Sequence, residues 1–430
     1  MQKQKGITLI ALIITVILLL ILLGTSLGIV LRGDFFGKAR KTAKMTNEKI
    51  SSEGKTIEKG QNDWEQMEVD ICSHIWGEER TILEPTCTTP GKKSKKCENC
   101  GKTIEVETPA LGHNYENRVC TRCGDVEALV VGANIDYHEY LSESGGTVSS
   151  SYTSTKTTRG STDSSDSNAT YSVVNNSGIQ WIVLGEENGQ IKITTKNIVQ
   201  PTSGGYTSEN FKYLRLEGQK GYANFIDELN KISAVYGKGK YADTTKFSTS
   251  GGRSFKMEDL GYGALTRTAS YKYARHSDGK VYRYAANATV DGTSTTGGRY
   301  TTFNYMALDA SNSTDETSSS HTWKSLSTTA NSYVTMYQYT YSGSRTLSTE
   351  VIKADKGYWL ASRYLRYYNY DVNYYARNVY TDGNIYISNL CNSSGGSGNG
   401  RDSGVRPVVY LKSTAKLSNY SSTNGYTLSY

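Results

Sequence analysis

The stretch from Gly357 to Ser413 constrains the fold most, because two strand-like apolar runs bracket a long polar interval. Tyr358, Trp359 and Leu360 open it, and Val405, Val408, Val409 and Leu411 close it, which are the residue types a buried sheet takes up. Between them, from Tyr364 to Asp402, there is no Lys, Glu, Gln, Met or Trp. Thr381-Asp382-Gly383 predicts a three-residue hairpin loop with Gly383 left-handed, pairing Tyr380 with Asn384 and Val379 with Ile385. Alternation then predicts Val379, Ile385 and Ile387 on an inward face, with Asn378, Tyr380, Asn384, Tyr386 and Ser388 outward.

The interval has the composition of a contact surface. Tyr offers a large, stiff, amphipathic area at low entropic cost, and Asn, Ser and Gly offer adaptable hydrogen bonding. The candidate ligand-binding residues are Tyr364, Arg366, Tyr367, Tyr368, Asn369, Tyr370, Asp371, Asn373, Tyr374, Tyr375, Asn378, Tyr380, Asp382, Asn384, Tyr386, Ser388, Asn389 and Asn392. The competing reading is a Tyr-rich, Gly/Ser-looped surface with no special partner.

WLASR, the Tyr/Asn-rich interval and the closing GVRPVVYLKS resemble the variable region of proteins diversified by diversity-generating retroelements. The resemblance spans residues 171–412 and is specific only in the last fifty or so. It implies a C-type-lectin-like fold and error-prone reverse transcription that randomises adenines, mostly in AAY-type codons. Such codons keep their final pyrimidine, so Lys, Glu, Gln, Met and Trp cannot arise. A variable region at 364–402 and a ligand that is a protein or a glycan are what the resemblance implies.

At the other end, residues 7–31 form an uninterrupted run of apolar and small residues after a short Lys-bearing leader, 1–6. At about 1.5 Å per residue, that run is long enough to span a hydrocarbon core of about 30 Å. The junction KQKG-ITLIALIITVILLLILLG resembles the leader of type IV prepilins, which implies cutting by a prepilin peptidase between Gly6 and Ile7. The family's usual Glu at the fifth mature position is Ala11 here, which weakens the implied role as a filament subunit. The expectation is a single-pass cell-membrane protein with its C-terminal part extracellular, followed by a helical stalk over 32–68.

Residues 69–126 hold the metal signal. Cys97-x2-Cys100-Gly101 and Cys120-x2-Cys123-Gly124 are two C-x2-C-G turns separated by nineteen residues. That is zinc-ribbon spacing, and four thiolates at about 2.3 Å suit a structural Zn²⁺. Cys72, His74, Cys87 and His113 are additional ligand types in the same segment. Six cysteines from Cys72 to Cys123 also permit disulfides, in any of 15 pairings. The segment resembles a Cys-rich repeat of bacterial surface proteins, one full unit from CSHIW to KKCENCG and a shortened one from ETPALGHNY to VCTRCG.

Residues 127–170 read as a flexible Ser/Thr/Gly-rich linker, since such a segment buries too little apolar surface to offset its ordering entropy. From 171 to 415 a folded domain is expected, with 416–430 as a tail. Within it, strands on either side of Asn188-Gly189 make a hairpin, and Phe225, Leu229, Ile232 and Tyr236 mark a helix over 221–236. A second short helix is expected over 254–260 with Ser254 as its cap. The predicted class is α+β: a transmembrane helix, a small zinc-ribbon-like module and a C-type-lectin-like domain.

A net charge of +7 is spread along the chain with acidic partners, so nucleic-acid binding is not expected. His276 and His321 lie far from any nucleophile arrangement, and Cys391 sits alone in the variable-looking run. Neither enzyme chemistry nor a calcium cluster is expected. The function expected is a surface-displayed receptor or adhesin, with a pilin-like subunit or a lectin-fold enzyme as alternatives.

Overall fold

The structure is a computed structural model, and it describes residues 72–173, 178–294, 296–306, 322–368, 371–394 and 399–430. The chain divides into two compact units, residues 1–112 and 113–430. Strands dominate. Among the described residues there are two α-helices, and no helix is long and apolar enough to cross a membrane. The expected α+β class is therefore corrected to a strand-dominated one, and the membrane-anchored, prepilin-type organisation gains no support. The leader with Gly6 and Ile7, the span 7–31 and the stalk 32–68 lie outside the described residues.

The described part of the first unit is an antiparallel sheet of β1 (Arg80–Leu83), β2 (Gly91–Lys96) and β3 (Thr103–Thr108). Its chief polar links are exposed ion pairs such as Lys92–Glu105, which are individually weak.

The second unit is built on a seven-stranded sheet. In chain order its strands are β4 (Asn134–Asp136), β7 (Trp181–Glu187), β8 (Gln190–Thr195), β9 (Gly252–Ser254), β16 (Pro407–Tyr410), β17 (Lys416–Leu417) and β18 (Tyr426–Ser429). Between β4 and β7 comes the pair β5 (Ser151–Ser154) and β6 (Ala169–Ser172). The spatial order is β9-β16-β8-β7-β4-β18-β17, and β18 runs parallel to β4. The β7–β8 hairpin turns at Asn188 and Gly189, both at positive φ, as the Asn-Gly pair predicts.

Both faces of this sheet are buried. Trp181, Val183, Ile193 and Val409 belong to one core, and their neighbours Ile182, Leu184 and Val408 belong to another, so alternation sends successive residues into opposite cores. Helix α1 (Gly218–Tyr236) covers the first face with Phe225, Ile226, Leu229, Ile232 and Tyr236, all fully buried. It ends at Gly237, where a Cβ would lie 2.1 Å from the Gly252 amide nitrogen, so only glycine fits that crossing. Phe255, Met257, Leu260 and Tyr358 fill the second core. The helix expected from Ser254 is a 3₁₀ turn over Met257–Leu260, because Ser254 is held as the last residue of β9 against Pro407.

Two boundaries move. Residues 127–170, read as a linker, supply β4, β5 and part of β6 to the folded unit. The reason is in part apolar, since Ala133, Ile135, Tyr137 and Ala169 join the core, and in part polar: Arg159 is fully buried and donates to Asp166 Oδ2 at 2.7 Å, to the Arg215 carbonyl at 2.8 Å and to the Ser167 carbonyl at 2.6 Å. Residues 416–430, read as a tail, form β17 and β18, with Leu417, Tyr426 and Leu428 in the core.

The remaining layers are three-stranded. β10 (Leu265–Arg275) is flanked by β11 (Val281–Ala285) and β12 (Tyr333–Tyr341). After the short helix α2 (Thr349–Ile352), the polar interval folds as a meander of β13 (Tyr358–Tyr368), β14 (Asp371–Val379) and β15 (Ile385–Asn392).

Candidate functional site

In β13–β15, residues opposed across antiparallel strands point to the same side. One row reads Leu365, Tyr374, Cys391, and these are buried to 5%, 0% and 2% exposure, with Ala376 alongside at 0%. The rows that alternate with it read Arg366, Asn373, Asn392 and Tyr364, Tyr375, Asn389. Arg366 is exposed and the other five are half-buried. A bulge between Tyr374 and Tyr375, opposite Leu390, lets both rows keep one side while Leu390 turns into the core.

This outward face is internally ordered. The Tyr364 and Tyr375 rings lie 6.0 Å apart, and the Arg377 guanidinium sits 4.7 Å over Tyr364. Gln338 of β12 donates to the Tyr364 hydroxyl at 3.0 Å, and Asn389 donates to Asn373 Oδ1 at 3.5 Å. Burial raises the Tyr375 hydroxyl pKa, which Arg366 only partly offsets, so it stays a hydrogen-bond donor.

A second exposed patch lies at the hairpin tip. Tyr380 and Tyr386 are 46% and 42% exposed and stack at 4.2 Å. The loop closes as its sequence predicts, with Gly383 at φ 81° and the Tyr380 amide donating to the Asn384 carbonyl. Asp382 accepts from the Asn384 amide and side chain at 2.8 and 2.9 Å, and these bonds hold its carboxyl below the ordinary range.

The other candidates are placed differently. Tyr374 is in the core, edge-on to Tyr222 and Trp323. Asn378 and Ser388, expected outward, are buried and bonded to each other at 3.3 Å, because they share the side of Tyr374 and Ala376, which the first core covers. Asp371 is buried and accepts from the Val372 and Ser393 amides and from the hydroxyls of Ser393 and Ser394. Tyr367 packs edge-on against Tyr271. Tyr368 is in β13, and Asn369 and Tyr370 lie outside the described residues. Burial pushes the Cys391 thiol up and holds it neutral. His276 is tied to the Tyr284 hydroxyl and stacked on Tyr282 at 4.1 Å, and His321 lies outside the described residues.

The Cys-rich segment is organised differently from one ribbon. In the first unit, Cys97 and Cys100 gather with Cys72 and His74, all four ligand atoms within 4.8 Å of one another. Cys72 Sγ and Cys97 Sγ are 3.9 Å apart, and Cys100 Sγ and His74 Nδ1 are 3.4 Å apart. The edges of a tetrahedral zinc site are about 3.8 Å for S–S and about 3.6 Å for S–N, given bonds of about 2.3 and 2.05 Å. A disulfide needs about 2.05 Å, and no disulfide joins any of the described cysteines. The segment 72–77 is tied to the turn by Glu98 N–H to the Ile75 carbonyl and by Asn99 Nδ2 to the Ser73 carbonyl.

Of the second group of metal-type ligands, the second unit supplies His113, Cys120 and Cys123, with Cys123 Sγ 3.4 Å from His113 Nδ1. Cys87, buried, is the remaining ligand-type residue of the segment. The two turns repeat one design. Gly101 and Gly124 take φ of 75° and 77° and donate back to the carbonyls of Cys97 and Cys120. Each histidine stacks on the aromatic residue two positions on, His74 on Trp76 and His113 on Tyr115. That His-x-aromatic element before each C-x2-C-G is the sequence signal for two groups instead of one.

The electrostatics favour a cation. Burial opposes the Cys97 thiolate, but the Cys100 amide, the His74 ring and the Asn99 amide bring its pKa down to about 6. The amides of Arg122 and Cys123 similarly bring Cys120 down to about 5 against its burial. Burial and then the neighbouring Cys100 and Cys97 sulfurs push Cys72 up to about 12. Crowded sulfurs of this kind ionise together only around a positive charge. These residues can hold a structural metal ion.

A scan against protein-family models finds no match, and searches of curated proteins and of solved structures find none either.

Proposed function

We propose that this chain is a binding protein, a receptor or adhesin, whose contacts are made by the outward rows of β13–β15 and the adjoining hairpin tip. The observation that carries the reading is the division of chemistry across one sheet: Tyr, Asn and Arg fill the outward rows, and Leu365, Tyr374, Ala376 and Cys391 fill the inward one. Contact chemistry is thereby free to change without touching the core, which is what a diversified surface requires. The ligand is a protein or a glycan, and it belongs to the variant and not to the scaffold. Zinc is the ion proposed for the Cys/His groups, in two separate sites and in a structural role.

The test is a library randomised at residues 364, 366, 373, 375, 389 and 392 and selected against two unrelated proteins, lysozyme and streptavidin. Binders that melt within a few degrees of the parent support the reading. A library that yields only unfolded or non-binding variants overturns it.

A further inference from the structure

We propose that the cavity between β4, the turn that follows it and the start of β7 binds an organic cation, an ammonium group about the size of choline. The site is independent of the β13–β15 face. The cavity is about 270 Å³, enough for such a headgroup and its first carbons, and its walls include Tyr137, Glu139, Tyr140, Ile179 and Trp181.

Glu139 is the residue that calls for a ligand. It is 2% exposed; its Oε2 accepts from the Trp181 indole N–H at 3.1 Å, and its Oε1 has no hydrogen-bond partner. A buried carboxyl oxygen left unpartnered costs free energy, and a cation beside it offsets part of that cost through charge even where it has no N–H to donate. Burial pushes the Glu139 carboxyl up to about 7, and its own amide and the Trp181 indole oppose that only in part. The nearby Lys240 is engaged elsewhere, its ammonium standing 4.6 Å over the Tyr241 ring.

The walls suit an ammonium group in particular. Trp181 and Tyr137 meet edge-on at 4.8 Å, and Tyr140 stands beside His138, so aromatic surface flanks the acid. Aromatic faces attract quaternary and primary ammonium ions, most strongly where water is excluded. At the rim, Asp136 adds a second carboxylate, paired with His138 at 2.8 Å. A neutral ligand of the same shape would leave Oε1 as it is.

The full chain is titrated with choline and, separately, with 3,3-dimethyl-1-butanol, its uncharged isostere, and followed by ligand-observed NMR and calorimetry. Choline is expected to saturate one site in the millimolar range and to bind at least tenfold more tightly than the isostere. Glu139→Gln, which keeps an acceptor for the Trp181 indole, is expected to weaken choline at least tenfold at an unchanged melting temperature. Equal binding of choline and isostere, no binding of choline, or full choline affinity in a folded E139Q overturns the proposal. If E139Q does not fold, the choline-to-isostere ratio on the unaltered chain decides alone.

Discussion

Two adjacent tyrosines in β14 should behave as though they belonged to different proteins. Tyr374 is fully buried, with ring centroids 5.1 Å from Tyr222 and 4.6 Å from Trp323, while Tyr375 is half-buried on the outward face. Truncating a buried aromatic to Ala costs about 3–5 kcal/mol, and each well-placed aromatic pair adds about 0.5–1.5 kcal/mol beyond its area. Tyr374→Ala should therefore lose about 4–5 kcal/mol. Tyr375→Ala removes a partly solvated ring whose neighbours are the Tyr364 ring at 6.0 Å and the Arg366 side chain, for a loss of about 1 kcal/mol. Tyr374→Phe should cost only about 1 kcal/mol, because the hydroxyl's partners are the Asn304 carbonyl at 3.5 Å and the Met306 backbone. Guanidinium unfolding of the three variants reads the differences directly. A gap between Tyr374→Ala and Tyr375→Ala below about 1 kcal/mol, or of reversed sign, would refute the assignment of inward and outward rows.

Elemental analysis of chain prepared with zinc should give two ions per chain, falling to one when Cys72 and His74 are replaced by Ser and Ala; a single ribbon shared by Cys97, Cys100, Cys120 and Cys123 would give one ion both before and after the replacement. Arg159→Met should destabilise by about 3–5 kcal/mol, since Asp166 is left charged and buried, and the segment 140–170 should then become the first site of proteolysis; unchanged protease resistance would contradict a folded segment. Despite its burial, Asp259 is drawn down to about 2 by Arg253 and Lys192, below its unfolded value of about 3.9. Its stabilising contribution is therefore complete above about pH 4 and lost as pH falls through 2, on the order of 2 kcal/mol. Asp259→Asn should flatten that part of the stability–pH curve, and an unaltered slope would contradict it.

Local signals carried much of the strand reading. Asn188-Gly189, Thr381-Asp382-Gly383 and the Phe225–Tyr236 stripe each specify their element within a few residues, and each stands where the sequence puts it. Residues 127–170 look like a linker in sequence because their core residues Ala133, Ile135, Tyr137 and Ala169 are too scattered to make a periodic pattern, and the rest of their ordering comes from one buried guanidinium and from strand pairing with distant partners. Asn378 and Ser388 are buried against expectation for a related reason: alternation separates two faces, but it does not say that both are covered. The spacing of the C-x2-C turns does not reveal their partners, because nineteen residues of separation suit a shared ion while the competing partners Cys72 and His74 lie 25 and 23 positions before Cys97. The Glu139 cavity leaves no trace in sequence, since it is assembled from three separate stretches of chain, 134–140, 179–181 and Asn424.

The central claim is that chemistry on β13–β15 is free to vary outward and fixed inward. Deep sequencing of this gene across one growing population tests it most directly. The account predicts substitutions at codons 364, 366, 373, 375, 380, 384, 386, 389 and 392, with Leu365, Tyr374, Ala376 and Leu390 constant. A uniform sequence, or changes that fall equally on the buried row, would contradict it.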